Sequence, residues 1–281
     1  MIKIVTDSGV SLPQAIIQEH NIGIVPATLQ FGPEVVQDIT LTTDEFYARL
    51  AASPTPPIGR DPLIKDFLDI YEPLVASPNE NVQILSLHVS DSLAATLGMA
   101  RQAARAMQPH NVRVFDTRNV SAGQGLIVYE AARMAKEDVP IWEIEERLEA
   151  MALGVKFYTL VDTLDYLAKG GRISTITHKV GTFLNVKPIL KVEKGMVSQY
   201  GHQRSREKGI QAIRQLVLDD VKGKQKLRLT VTHAMAREDA EALANELRDL
   251  LKPEVFMMTE ISPAVGTNTG PGAVGVAWYA E

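Results

Sequence analysis

Three short loops hold the residues with the most scope for chemistry. In LAKGGRIST, residues 167 to 175, Gly170 and Gly171 stand directly before Arg172. Paired glycines can end a helix in left-handed backbone angles. Two readings of the arginine follow: a surface residue beyond a helix stop, or a planar fork held where it can grip an anion. In DTRNVSAGQG, residues 116 to 125, Ser121 is either a helix cap or part of a helix N-terminus turned toward a negative group. TNTGPGAVGV, residues 267 to 276, carries three glycines, one proline and no charge. A hairpin or strand entry accounts for glycine through positive backbone angles. A turn that only reverses the chain seldom needs this much small, uncharged surface, so close approach of a ligand or of another backbone segment explains it better.

Groups that would break or make bonds are hard to find. There is no G-x-x-x-x-G-K-[ST] loop for ATP and no G-x-S-x-G elbow, and no Ser, His and acid can be nominated as a triad. His88 and His233 lie in apolar, strand-like runs and read as satisfied buried histidines. Cysteine is absent, which removes disulfides, a thiolate nucleophile and Cys-bound zinc. Six histidines lack the paired spacing of a zinc helix, so no metal and no cofactor is expected. With 29 basic against 34 acidic residues the formal charge is −5, and no basic surface for nucleic acid shows. No apolar run reaches the length of a membrane span, and the N-terminal stretch MIKIVTDSGV is too short for a signal h-region. A cytoplasmic protein is the expectation, and catalysis by this chain alone finds little support in its residues.

The elements that must position these loops alternate between strand and helix. IKIVTDS reads as a buried strand, followed by a helix from Pro13; IGIVPATLQF is a second β-rich run. A helix begins at a Thr or Asp cap near Thr42. SPTPPIGRDP, residues 53 to 62, has four prolines and a glycine and reads as a loop. VQILSLHV and VRVFD are further strands, each followed by a helix. Such alternation predicts a largely parallel, doubly wound sheet with ligands at the carboxyl ends of its strands. Those ends are TDS, HVSDS and DTRNVSAG. From about residue 153 the character shifts to α+β, with KPILKVEKGMVSQY read as a hairpin turning at Glu193 to Gly195. Two domains are expected, 1–152 and 153–281.

Taken in order, KIVTDSGVSLP, SLHVSDSLAATLGMARQAA, FDTRNVSAGQG, LDYLAKGGRIS, FLNVKPILKVEKG and ISPAVGTNTGPGAVGV resemble the DegV family along residues 2 to about 279. The resemblance implies two α/β domains with a long-chain fatty acid between them, its chain in an apolar tunnel and its carboxylate near the domain interface. It also implies a separate fatty-acid kinase subunit that supplies ATP and the phosphoryl chemistry. Burial of an acyl chain contributes roughly 0.8 kcal/mol per CH₂, so a modest polar anchor suffices.

That anchor departs from the family pattern. Where DegV proteins usually carry T-S-Q-P, this chain has Gly59, Arg60, Asp61 and Pro62; where they carry L-S-G-T, it has Leu93, Ala94, Ala95 and Thr96; and the histidine of H-x-G-P-G is Asn268. Arg172 of GGRI is unchanged. The resemblance implies a ligand site at Thr28, Gly59, Arg60, Ala94, Ala95, Thr96, Ser121, Arg172, Asn268, Thr269 and Gly270, with Pro271 and Gly272 completing the small wall beside the head group. Alanine donates nothing, and asparagine donates without charge. Either Arg60 has taken over as a bidentate anchor, or the head group is less acidic and the kinase partner is absent. A third reading, an enzyme acting on a small anion held by Arg172, lacks a nucleophile or base.

Overall fold

The computed structural model describes residues 1–53, 55–76, 81–171 and 186–281. In the first half, β1 (Ile2–Asp7), α1 (Gln14–Glu19), β2 (Gly23–Val25), β3 (Thr28–Phe31) and β4 (Glu34–Gln37) lead through a 3₁₀ turn at Asp38–Thr40 into α2 (Thr43–Ala52). Then come β5 (Ile58–Arg60), α3 (Ile64–Val75), β6 (Gln83–His88), α4 (Thr96–Ala106), β7 (Asn111–Asp116), α5 (Ser121–Lys136) and α6 (Ile141–Gly154). The second half runs β8 (Lys156–Leu160), α7 (Asp165–Lys169), β9 (Lys187–Glu193), β10 (Met196–Gln203), α8 (Arg206–Asp220), β11 (Arg228–His233), α9 (Arg237–Leu251), β12 (Val255–Glu260), α10 (Pro263–Thr269) and β13 (Val274–Tyr279).

The alternation of the first half yields the expected parallel sheet, in the order β2-β1-β6-β7. Helices cover both of its faces, which is why its strands carry long buried runs instead of alternating polar residues. On one face α3 and α4 bury Phe67, Tyr71, Ala100 and Ala103 against Val5 and Ile84. On the other lie α5 and α6, and their far side meets a second sheet through Phe157, Val192 and Ala277. This mixed sheet has the order β10-β9-β8-β13-β11-β12, with only β11 and β12 parallel. Its outer face is closed by α8 and α9 through Ile213, Val217, Leu243 and Leu247. The layering is therefore helix, sheet, helix, sheet, helix, with α5 sandwiched at the centre. The second sheet opens at Lys156, beside the expected boundary after residue 152, while one apolar cluster runs through both sheets.

A charged cluster ties these central layers together. Glu130 of α5, 1% exposed, accepts from the buried Arg228 of β11 at 3.3 Å, and from Arg133 and from Arg147 of α6. Burial alone would raise the Glu130 carboxyl, yet hydrogen bonding from Arg133 and the charges of the three arginines outweigh it and hold it below the usual carboxylate range. A buried charge of this kind is tolerable only when paired.

Several local expectations meet the structure directly. Thr42 caps α2 in a capping box with Glu45, and β9 and β10 form the antiparallel hairpin, turning on Lys194 (φ 52°) and Gly195 (φ 82°). One other is corrected, and one is resolved further. The proline-rich stretch read as a loop contains β5, because Ile58, Gly59 and Arg60 find partners in β3 and build a three-stranded sheet, β4-β3-β5. The β-rich run around Pro26 is two strands in different sheets, and β3 turns away to bury Leu29 among Phe46, Tyr47, Val161 and Leu164. Residues from early in the chain thus pack onto the second half, and this places β5 beside α10.

Candidate functional site

A cavity of about 280 Å³ lies between the carboxyl ends of the parallel sheet and the inner face of the mixed one. This volume is near the lower end of small-molecule sites, which start at roughly 300 Å³. One part of its wall is apolar: Phe157, Leu190 and Val192 from the mixed sheet, Leu167 from α7, and Ile261 and Val265 around α10. The other part is polar and comes from Asp7 and Ser8 at the end of β1, Thr96 at the start of α4, Arg60 and Asp61 at the end of β5, and Asn268 of α10. The opened sheet end expected from the strand alternation is therefore where the cavity sits, and its polar groups come from segments far apart in sequence.

Beneath the polar part runs a buried chain of hydrogen bonds that no local pattern announced. Asp7 Oδ2 takes the His88 Nδ1 donor at 3.0 Å, the Val89 N–H at 2.9 Å and the Gln124 amide at 3.2 Å, while Oδ1 takes the Gly9 N–H at 3.0 Å. His88 Nε2 lies 2.7 Å from Ser86 Oγ, which accepts from the Tyr71 hydroxyl at 2.8 Å. An acid, a histidine and a serine are thus in line, yet Ser86 and His88 are both 0% exposed and neither lines the cavity. The chain is structural, and His88 is the satisfied core histidine expected of it. His233 is buried too, but its Nδ1 has no hydrogen-bond partner among the described residues, so satisfaction is incomplete there. Burial would raise the Asp7 carboxyl; His88, the Val89 N–H and Gln124 outweigh it and hold it low. Fixed in this way, Asp7 locks the Ser8–Gly9 turn that forms the cavity rim.

Behind Ser8 stands a second buried acid with the opposite balance. The Ala27 N–H donates to both Ser8 Oγ (2.8 Å) and Asp38 Oδ1 (3.0 Å), whereas Asp38 Oδ2 has no hydrogen-bond partner among the described residues. Burial pushes this carboxyl from 3.8 up to about 6. A raised value means that the fold holds the proton more tightly than the unfolded chain does. Stability is therefore lost as pH climbs from 3.8 to about 6, and at roughly 1.4 kcal/mol per unit the loss is at most about 3 kcal/mol. Asp38→Asn keeps an acceptor and does not titrate, so urea unfolding is expected to show it more stable than wild type by about 2 kcal/mol at pH 7, with the gap closing by pH 4. A gap that is the same at both pH values would show that Asp38 stays ionised in the fold.

The start of α4 shows how the altered motifs are accommodated. Its N-cap residue, Ala95, has no capping side chain. Asp61 supplies one from 34 positions away, Oδ2 accepting the Ala95 N–H at 2.9 Å and Oδ1 the Thr96 hydroxyl at 3.4 Å. Negative charge is favourable at such a helix end. Arg60 lines the cavity, but its Nε and Nη2 both donate to Gln30 Oε1, at 3.1 and 2.6 Å, across the β3–β5 pair. Lys191 is paired with Glu193 at 2.7 Å. Lys169, immediately before the paired glycines, lines the cavity with no hydrogen-bond or ion-pair partner among the described residues.

Of the residues expected at the site, Gly59, Arg60, Ala94, Thr96, Ser121, Asn268 and Thr269 all line the cavity. Three do not. Thr28 stands opposite Arg60 in the β3–β5 register, outside the cavity wall. Ala95 is exposed and its N–H is given to Asp61. Gly270 (φ 68°) faces Tyr166, whose ring would lie 2.2 Å from an added Cβ, and a Cβ on Gly272 would meet Asp162 at 2.3 Å. The bare turn is thus small chiefly so that α7 can pack against it. Ser121 is not a side-chain cap; it opens α5 at φ 54° with its hydroxyl 2.8 Å from that of Ser11. Asn268 donates to Thr267 Oγ1 at 3.0 Å, and its Oδ1 fills the space over Gly170. Arg172 lies outside the described residues. Asp7, Ser8, Asp61 and Lys169 were not singled out, although TDS was visible as a strand end and Lys169 adjoins the GGR motif.

Comparison with known proteins agrees with this geometry over the full length of the chain. A family model described as "Uncharacterised protein, DegV family" matches residues 1–281. A DegV domain-containing protein of Streptomyces coelicolor is 32% identical over 276 residues, covering 98% of this chain and 97% of that one. Protein DegV of Bacillus subtilis is 29% identical over 279 residues, covering 99% and 98%. Among solved structures, a DegV family protein of Thermus thermophilus, described by its fatty-acid binding, superposes with a TM-score of 0.90 at 26% identity over 100% of this chain and 99% of that one. DegV of Bacillus subtilis, described as a fatty acid binding protein, superposes at 0.89 with 28% identity over 100% and 99%. With a family model matched over residues 1–281 and a relative 32% identical over 98% of the chain, this protein belongs to the DegV family.

Proposed function

We propose that the protein is a non-catalytic carrier that holds a long-chain fatty acid or a closely related lipid. The acyl chain lies in the apolar part of the cavity and the head group at the polar part, near Arg60, Asp61, Thr96 and Asn268. The observation that carries this reading is the cavity itself, apolar along the mixed sheet and polar at one side, with the histidine and serine behind Asp7 sealed beneath the wall. The fatty-acid binding described for the relatives from Thermus thermophilus and Bacillus subtilis supports it. In the fuller form of the proposal a separate fatty-acid kinase subunit phosphorylates the presented carboxylate. A second reading, a less acidic lipid and no kinase, is favoured by one observation: a carboxylate of the chain's own already occupies the start of α4.

Native mass spectrometry of the purified protein, with extraction of whatever it carries, tests the proposal. An acyl lipid at near-full occupancy is the expected result. A fatty acid that is converted to acyl phosphate when a fatty-acid kinase subunit and ATP are added would support the first form, and a neutral lipid or one never turned over would support the second. A protein that carries no lipid and takes up none when offered would overturn both.

A further inference from the structure

We propose that Gln30 is a positioning residue for the head-group anchor: it holds the guanidinium of Arg60 at the cavity with its charge intact. An ionised carboxylate is then gripped by charge where Gly59 and Ala94 offer no side-chain donor. This rests on the reading that the cavity holds an acyl lipid, and it deepens the form in which that lipid is a free fatty acid. In the β3–β5 register Gln30 stands opposite Ile58 and Thr28 opposite Arg60, so Gln30 and Arg60 are diagonal neighbours on one face, a spacing that long side chains bridge. The Gln30 amide is itself fixed, because its Nε2 donates to the Gly32 carbonyl at 3.0 Å and Oε1 is left for Arg60. Arg60 Nε and Nη2 both donate to that oxygen, at 3.1 and 2.6 Å.

Those two N–H groups make one edge of the guanidinium. The other edge, Nη1 with the second hydrogen of Nη2, has no partner among the described residues, and it is an edge that takes a carboxylate bidentately. Glutamine is uncharged, so it orients the fork without cancelling it. Lys169 adds a second cation. A Cβ on Gly59 would stand 3.4 Å from Thr267 Oγ1, and one on Gly170 2.2 Å from Asn268 Oδ1. Arg60 and Lys169 therefore adjoin glycines that lie against consecutive residues of α10, and both line the cavity. The carboxylates of the wall are directed elsewhere: Asp61 gives both oxygens to the start of α4, whose helix end opposes its charge, and Asp7 is held by His88 and the Val89 N–H.

Affinities of dodecanoic acid and dodecan-1-ol, an acid and an alcohol of equal chain length, are measured by fluorescent-probe displacement at about pH 8, where a carboxylic acid is ionised. Wild type is expected to bind the acid more tightly, with a preference that shrinks as salt is raised. Arg60→Gln is expected to lower the acid-to-alcohol preference about fivefold. Gln30→Glu, which can still hold the fork but offsets its charge, is expected to lower it equally. Gln30→Ala keeps the charge but leaves the arginine to be ordered by the ligand, and about a threefold loss is expected. Taking the ratio within each protein cancels any general loosening of the β3–β5 pair. An unchanged ratio in both Gln30 variants would overturn the positioning role, and an unchanged ratio in Arg60→Gln, or a wild type that prefers the alcohol, would overturn the charged anchor; the carrier reading survives each of these. Failure of wild type to bind either lipid would overturn the carrier reading and this inference with it.

Discussion

Gly270→Ala is expected to lower the unfolding free energy by about 4 kcal/mol and to weaken lipid binding with it. Gly270 ends α10 at φ 68° and ψ 177°, a region that only glycine enters without strain, costing other residues about 1–3 kcal/mol. An added Cβ would also stand 2.2 Å from Tyr166 Cδ2 and 2.4 Å from Cε2. The ring packs with the cluster around Leu164 and Leu167, so it can move only by disturbing α7, and overpacking of this kind costs about 1–3 kcal/mol. Because Asn268 and Thr269 directly precede the turn and line the cavity, their displacement carries the effect to the ligand. Urea unfolding is the check, with Gly201→Ala in β10 as the control, since no atom lies within 4 Å of a Cβ built there. Gly270→Ala within about 1 kcal/mol of wild type would mean that the α7–α10 contact does not constrain the turn.

Ala264→Trp is the second large effect, and it separates binding from folding. Ala264 lines the cavity on α10, next to the apolar Val265 and Ile261. An indole in a cavity of about 280 Å³ takes the space of several methylenes. Each methylene displaced removes about 0.8 kcal/mol of burial. Loss of three or four corresponds to roughly a hundredfold weaker affinity. The expected outcome is a graded series, Ala264→Leu weaker than wild type and Ala264→Trp weaker again, with thermal stability changed by far less than affinity. Equal affinity across the series would show that the acyl chain does not lie along α10.

How legible these features were depends on whether their cause is local. The capping box at Thr42 and Glu45, the hairpin turn at Lys194 and Gly195, and the parallel sheet all follow from patterns a few residues long. The strand in the proline-rich segment was not legible, because Ile58 to Arg60 form β5 only when β3 lies alongside. Nor was the helix of α10: a segment rich in small residues is a weak helix signal, and Pro263 at its first turn was the one local cue. Arg60 was legible as a residue of the site, but its engagement by Gln30 was not, since the two are 30 positions apart and meet only through the β3–β5 pair. Asp61 stood in the departing motif without a role because its partner helix starts 34 residues later.

By itself the sequence determined the order and kind of most elements, the absence of thiol chemistry and of a P-loop, and the neighbourhood of the cavity at the strand ends. Periodicity and caps carry that information within one turn or one strand. Only the tertiary structure decided which polar groups share the cavity wall and which are already engaged. Asp7 and His88 are 81 positions apart, and Gln124 and Asp7 117; contacts over such distances are set by how the layers pack around α5. The same packing turned the glycines of the TNTGPG turn toward Tyr166 and Asp162 and brought the carboxylate of Asp61 onto α4.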